Sequence, residues 1–336
     1  MNLLALGGLC LGSGVLAWQL TLWVERKAKR LGLVQEPNHR SSHVVPTPSG
    51  GGVAIAIANV LAIIVLCLSG APWMWPVAAG AAAIGALGFA DDLHDLPAAA
   101  RFPIQALVFA GLIWALGPLP PLGWLAGALL VFVVLFVALW WLNLFNFMDG
   151  IDGLAASQAI LILLGGCALW WSTGEEMWGS PAFALAMICV GATSGFLVRN
   201  WPPARIFMGD AGSNALAVII CAFAMLTIAD QAVSYQAWLI LPSVFVTDAT
   251  LTLLRRTARG ERPWQAHRRH AYQQLARRWG HRRVTLLYAG LTAFWALPLA
   301  LFAQHTSAWP IVALAYAPLI GFAAWARAGA AAEASV

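Results

Sequence analysis

Charged side chains are scarce in this sequence. Asp, Glu, Lys and Arg make up 10% of its 336 residues, 61% are hydrophobic, and the mean hydropathy is +0.76. A soluble domain cannot hide that much apolar surface and is excluded. Thiol pairing is lacking too. The five cysteines, Cys10, Cys67, Cys167, Cys189 and Cys221, all fall within apolar stretches and form no CxxC pair, so neither a disulfide framework nor a zinc site is expected. No charge precedes the leading apolar run and its basic residues come after it, which argues for a retained helix rather than a signal peptide.

Long apolar runs are what the chain has in abundance. With about 20 residues needed per span, spans are expected at 2–24, 51–69, 73–90, 102–117, 123–145, 154–172, 181–198, 213–229, 236–254, 284–303 and 308–326. The expected fold is therefore all-α: a polytopic integral membrane protein of about eleven transmembrane helices, one domain over 1–336. If the first helix runs from outside to inside, strict alternation puts all nineteen Lys and Arg on one face and leaves Glu175, Glu176 and Asp230 on the other. Basic residues are retained on the cytoplasmic side, so an outside N-terminus and a cytoplasmic C-terminus are expected. The cytoplasmic loops are then about 25–50, 91–101, 146–153, 199–212 and 255–283.

Polar clusters recur at the span ends on that face. Asn143, Asn146, Asp149, Gly150, Asp152 and Gly153 sit between two apolar runs, where carboxylates are costly to desolvate and need a metal, a partner or water. Asp91, Asp92 and Asp95 are spaced to share one face of a continuing helix. Their repulsion calls for a cation, and hard oxygen ligands suit Mg²⁺; a solvated acidic turn is the plainer alternative. Asp210 lies between glycines just before a helix whose N-terminal N–H groups could receive a phosphate, or Asp210 could simply cap that helix. His267 and His270 are one turn apart, and Arg268 and Arg269 between them offer bidentate phosphate donors; a basic amphipathic segment on anionic lipid is the alternative. His39, Arg40 and His43 offer further donors ahead of a run of three glycines at 50–52. Asp248, inside the ninth span, is expected to be structural, paired with Arg255 or another polar group.

Carboxylates, arginines, glycines and helix N-termini on one face are what a metal–diphosphate site needs. At a membrane edge one substrate is expected to be a lipid phosphate and the other a soluble nucleotide. Two other classes stay open. A transporter or flippase predicts charges or broken helices near the bilayer midplane, and a membrane scaffold would use the basic loop for docking.

Taken in order, these motifs resemble those of the polyprenyl-phosphate N-acetylhexosamine-1-phosphate transferases, the superfamily that holds the peptidoglycan translocase and the enzymes initiating O-antigen and enterobacterial common antigen. The likeness is carried by Pro37-Asn-x-Arg40-Ser-x-His43, Asp91-Asp92-x-x-Asp95, Asn143-x-x-Asn146-Phe-Met-Asp149-Gly-x-Asp152-Gly, Asn200 with Phe207-Met-Gly-Asp210-x-Gly-Ser213, and the histidine loop. The resemblance implies a cleft on the cytoplasmic face of a bacterial inner-membrane protein with a periplasmic N-terminus. It implies Asp91 and Asp92 as catalytic residues handling the lipid phosphate, and Asp210 as catalytic residue and Mg²⁺ ligand with Asn146 and Asp149 beside it. Mn²⁺ is a permitted substitute. Asp152, Asn200 and Phe207 fall at nucleoside positions, and His267, His270, Arg268 and Arg40 at sugar and phosphate positions. The implied partners are undecaprenyl phosphate, a UDP-N-acetylhexosamine and membrane lipids, with no nucleic acid.

Two departures matter. Many relatives have Lys where Ser41 stands, so its phosphate contact falls to a group such as Arg40. The last loop reads His-x-x-His-x-Tyr-Gln instead of a contiguous histidine triplet, which points away from a muramyl-pentapeptide donor and toward the O-antigen-initiating branch, with UDP-GlcNAc, UDP-FucNAc or UDP-QuiNAc as donor. The exact sugar, the choice between direct attack and a phospho-enzyme, and the oligomeric state, a homodimer among the options, stay open.

Overall fold

The computed structural model describes residues 2–35, 46–262 and 267–330. In chain order its helices are α1 (Leu3–Leu31), α2 (Gly52–Leu68), α3 (Trp75–His94), α4 (Ala98–Ala115), α5 (Gly127–Phe147), α6 (Leu154–Ser172) and α7 (Pro181–Asn200). Then follow α8 (Asp210–Ala229), α9 (Tyr235–Ile240), α10 (Ser243–Thr257), α11 (Ala271–Trp279), α12 (His281–Leu291), α13 (Leu297–Thr306) and α14 (Trp309–Trp325). Among the described residues a two-stranded antiparallel ladder joins the helices, β1 (Val34–Gln35) with β2 (Thr47–Pro48), which pairs Val34 with Pro48 and Gln35 with Thr47.

Each of the eleven apolar stretches carries a helix or a helix pair. Among the described residues eight helical runs are long and apolar enough to cross a membrane: α1, α3 with the short turn before it, α4 to α8, and α12 running through a π turn (Thr292–Ala296) into α13. Helices α2 and α14 are apolar but have 17 residues each. The stretch 236–254, expected as one span, is two helices. Pro242 has no N–H to give and its ring crowds the carbonyl four residues earlier, so the run breaks between α9 and α10.

Between apolar helices in lipid there is little hydrophobic drive, so close packing depends on small residues that let backbones meet. Helix α8 is the enclosed centre: 89% of its most apolar window is buried, against 17% for α1. A Cβ on Gly52 would overlap the Gly212 backbone, and one on Gly88 would overlap the Asp210 carbonyl, so α2 and α3 lie directly on the first turn of α8. Helices α1 and α7 touch in the same way, with Gly14 against Gly191 and Gly195. Their ends are fastened by a two-pronged ion pair from Arg199 to Glu25 at 2.6 and 2.9 Å.

This packing gives a sign to glycine substitutions. Alanine in a helix is favoured over glycine by about 1 kcal/mol, while overfilling a tight contact costs about 1–3 kcal/mol. Gly195→Ala, which drives a Cβ into the Gly14 carbonyl, should lower the thermal unfolding midpoint in detergent. Gly111→Ala in α4, where nothing lies within 4 Å, should leave it unchanged or raise it.

Candidate functional site

The site is built around the first turn of α8. Gly209 has φ +76°, and a Cβ there would stand 2.7 Å from an Asp92 oxygen, so a side chain at 209 would push the last turn of α3 away. With glycine in place, Asp92 Oδ1 accepts the Asp210 N–H at 2.9 Å and Oδ2 accepts the Ala211 N–H at 3.2 Å. The positive end of α8 thus binds an anion, and that anion is the protein's own carboxylate. This corrects two expectations: Asp210 does not cap α8, and these two amides are not open to a substrate phosphate.

Relieved of capping, the Asp210 carboxylate faces a cation. Arg101, in the first turn of α4, places Nη1 3.3 Å from Asp210 Oδ2 and bonds Asp91 Oδ2 as well. The other Asp91 oxygen accepts the Leu96 N–H at 2.7 Å. The expected sharing of one helix face by Asp91, Asp92 and Asp95 does not occur. Helix α3 ends at His94, and Asp95 takes a left-handed conformation, φ 51°, and is exposed.

The loop between α5 and α6 closes over this cluster. Asn146 donates to Ser213 Oγ at 3.1 Å and Ser213 Oγ donates to the Gly209 carbonyl at 3.2 Å, which ties the end of α5 to α8. The carboxyl of Asp149 is pushed well above the usual carboxylate range, first by burial and then by the Asp210 and Asp92 charges, against the pull of a Gly209 N–H. Four carboxylates, those of Asp91, Asp92, Asp149 and Asp210, thus meet the guanidinium of Arg101 and the end of α8. Among the described residues no group of three or more His, Cys, Asp or Glu forms a ready-made cage. Mg²⁺ does not need one, because it commonly takes one or two carboxylates and completes its shell with water and substrate phosphate. Asp210, Asp149 and the Asn146 amide fit that donor set.

Beside the cluster, Asp152 Oδ1 lies 3.0 Å from His281 Nδ1, at the start of α12, and its Oδ2 accepts the Ala204 N–H at 3.0 Å. Burial pushes this carboxyl up, but the His281 ring and the Ala204 amide together bring it below the ordinary value. Asn200 is buried, with its amide oxygen accepting the Gly153 N–H at 2.9 Å and its Nδ2 donating to the Ile206 carbonyl at 2.9 Å. Both ends of this amide are used inside the protein, so Asn200 shapes the loop instead of presenting a free group. Phe207 is half-buried and held by its backbone: its N–H donates to Pro48 and its carbonyl accepts from Gly51.

The histidine segment approaches from the side of α11. The rings of His267 and His270 stack at 4.8 Å, and His270 stacks on Phe147 at 6.4 Å, so the pair leans on the end of α5. His267 is driven down to about 3 by burial and by the neighbouring His270, Arg256 and Arg269 charges, and is neutral at ordinary pH. Glu261 takes Arg256, Arg259 and Arg269 at 2.9, 3.2 and 2.5 Å; burial opposes its ionisation, yet the three guanidiniums hold it at about 2. The Arg268 carbonyl accepts from Gln274 Nε2 at 3.0 Å. Asp248 does not pair with Arg255, whose guanidinium instead donates to the Ala328 carbonyl at 3.1 Å. Arg40, with His39, Ser41 and His43, lies outside the described residues.

The structure thus joins Asp91, Asp92, Asn146, Asp149 and Asp210 in one cluster, sets Asp152, Asn200 and Phe207 along its edge, and brings His267 and His270 to it through Phe147. Arg101 and His281 belong to the same neighbourhood and were not anticipated, and Ser213, which stands within the Asp210 motif, carried no expected role. Arg101 stands ten residues past Asp91, where a basic residue after a span is expected for topological reasons alone.

Residues 74–228, from the start of α3 to the end of α8, match the model of Glycosyl transferase family 4. The decaprenyl-phosphate N-acetylglucosaminephosphotransferase of Mycobacterium tuberculosis is 30% identical over 350 residues, which cover 91% of this chain and 84% of that protein. The chain belongs to glycosyl transferase family 4. A probable undecaprenyl-phosphate N-acetylglucosaminyl 1-phosphate transferase of Bacillus subtilis is 30% identical over 250 residues, 70% of this chain and 68% of its own. A phospho-N-acetylmuramoyl-pentapeptide-transferase of Synechococcus is 33% identical over 240 residues, 64% and 65% respectively. Identities so similar leave the branch within glycosyl transferase family 4 undivided.

The Asp152–His281 pair gives a pH-dependent expectation. A carboxyl whose value is depressed on folding contributes stability above its unfolded value, about 4, and loses it as pH falls through the folded value. His281→Ala should therefore be less stable than the natural protein at pH 6, and the gap should close below about pH 4. Thermal unfolding in detergent across that range reads it.

Proposed function

We propose that this glycosyl transferase family 4 member moves a sugar-1-phosphate from a UDP-N-acetylhexosamine to undecaprenyl phosphate. An acceptor phosphate oxygen attacks the β-phosphorus, the bond from that phosphorus to the bridging oxygen breaks, UMP leaves, and a polyprenyl-diphosphate sugar remains. The observation that carries the reading is the cluster at the head of α8, where Arg101 bridges Asp91 and Asp210 while Asp92 holds the helix end. These groups lie at helix ends, with Asp91 and Asp92 in the last turn of α3 and Asp210 first in α8. That favours chemistry at a membrane edge over a transport path through the midplane.

In this reading Asp210, with Asn146 and Asp149, holds Mg²⁺ or Mn²⁺, which when bound offsets the charge of the donor diphosphate. The guanidinium of Arg101 receives the acceptor phosphate, a fork suited to two phosphate oxygens. Asp91, bonded to the Leu96 N–H and to Arg101, orients that guanidinium toward the acceptor, and Asp92, whose two oxygens take backbone N–H groups, holds the end of α8 beside it. Asp152 and Phe207 form the nucleoside side with Asn200 positioning them, and His267, His270, Arg268 and Arg40 the sugar and diphosphate side.

Counting α2, α14 and the α9–α10 pair as spans brings eight to eleven. The site then opens on the cytoplasmic face of a bacterial inner membrane, where the nucleotide is found. Relatives named for N-acetylglucosamine favour UDP-GlcNAc as the first donor to try, with UDP-FucNAc and UDP-QuiNAc next. The product would initiate O-antigen or another envelope glycan.

Purified protein given undecaprenyl phosphate, Mg²⁺ and each UDP-sugar should release UMP with one of them, and EDTA should stop it. Asp210→Asn should lose turnover by at least about 100-fold without loss of thermal stability. Arg101→Ala should raise the KM for the lipid phosphate by about 10-fold or more, and Arg101→Lys should recover part of it. Release that withstands EDTA, or an Asp210→Asn variant with full turnover, would overturn the reading.

A further inference from the structure

A second carboxylate is spent on a helix end in the way Asp92 is. Asp248 in α10 is 2% exposed, and both of its oxygens are taken. Oδ1 accepts the Ala271 N–H at 2.7 Å and the Thr252 hydroxyl at 3.3 Å; Oδ2 accepts the Tyr272 N–H at 2.9 Å and the Tyr288 hydroxyl at 2.6 Å. His270 Nδ1 stands 3.6 Å from Oδ1. One side chain of α10 therefore caps α11 and braces α12.

The contact continues beyond the cap. Tyr272 is fully buried, and its hydroxyl donates to the carbonyl of Phe147, the last residue of α5, at 2.9 Å. That hydroxyl fills the space a Cβ on Gly150 would need, so the tyrosine supports the underside of the loop that carries Asp149 and Asp152. Its neighbour His270 leans on the ring of the same Phe147 and stacks on His267. Asp248 fixes α11, and α11 fixes both the histidine segment and the aspartate loop.

We propose that Asp248 and Tyr272 are positioning residues that hold the His267–His270 segment in register with the Asp149–Asp152 loop, so that the two meet the UDP-sugar as one preformed wall. The donor's role rests on the proposed transfer; the mechanical coupling does not. The effect is one-sided, because Asp91 and Arg101, which face the acceptor phosphate in that reading, stand on α3 and α4 outside this relay.

Tyr272→Phe in the full-length protein is the test, since it keeps the ring and removes only the bond to Phe147. The KM for the UDP-sugar should rise about five-fold, the worth of one buried hydrogen bond, with kcat and the KM for the lipid phosphate within two-fold and the thermal midpoint nearly unmoved. Hydrogen exchange without substrate should quicken at the backbone amides of 148–153 and stay as it was in α3 and α4. A lowered midpoint with both KM values unchanged would assign the tyrosine to stability alone and overturn the inference. Should the natural protein release no UMP with any donor, the proposed function fails and exchange still decides the coupling: quickening confined to 148–153 upholds it, and unchanged exchange refutes it.

Discussion

The bond pair from Asp92 to the first two amides of α8 is the contact on which the site depends. The first N–H groups of α8 have no partner within the helix, and an unpaired buried N–H costs on the order of 1–3 kcal/mol. Using a carboxylate to satisfy two of them also fixes α3 against α8, because the cap comes from the last turn of α3. Gly88, one turn earlier, lets the α3 backbone rest on the Asp210 carbonyl, and Gly209 leaves room for the carboxylate itself. Neighbours on a helix point about 100° apart, so once Asp92 faces α8, Asp91 must face elsewhere. It meets Arg101, and Arg101 in turn reaches Asp210.

Charge is divided unevenly across the site, and the division has a direction. Four carboxylates, those of Asp91, Asp92, Asp149 and Asp210, share the guanidinium of Arg101 and the positive end of α8. Ahead of α11 three arginines converge on Glu261, and His267 is kept uncharged by burial and by the cations around it. A diphosphate lying between the two sides would bring its own negative charge to both: to a metal held at the carboxylates and to the basic segment. In the proposed transfer, that complementarity would orient a donor by its phosphates, which either set of charges alone would not do.

The positions of the helices and of the polar clusters at their ends were legible in the sequence, since apolar length and the placement of Arg and Asp report them directly. What each aspartate does was not. Asp91 and Asp92 are indistinguishable side by side in a sequence, and their division of labour is settled by an amide 118 residues away. Asp248 is expected from the sequence to be structural and to pair with Arg255 or another polar group; it meets the Thr252 and Tyr288 hydroxyls, and the partners out of reach of sequence reasoning are amides 23 and 24 residues on, at the start of a helix that folds back onto it. Asn200 shows the same limit from the other side: a polar residue at a span end suggests a ligand contact, yet its amide is consumed in joining two loops. Pro242 could have announced the break between α9 and α10, but the apolar run around it masked the signal.

Aspartates near a bilayer are read as functional by default because burying one is expensive, and this chain shows how to divide that class. Asp92 and Asp248 each give both oxygens to backbone N–H groups at a helix start, which leaves them little capacity for a ligand. Asp210 directs its carboxylate to a side-chain cation, and Asp149 takes the Gly209 amide. A side-chain cation can take a new partner, but a helix N-terminus held by its cap cannot. In the proposed transfer, chemistry is left to the carboxylates whose partners can be exchanged, and the capped pair supplies the frame that keeps them in place.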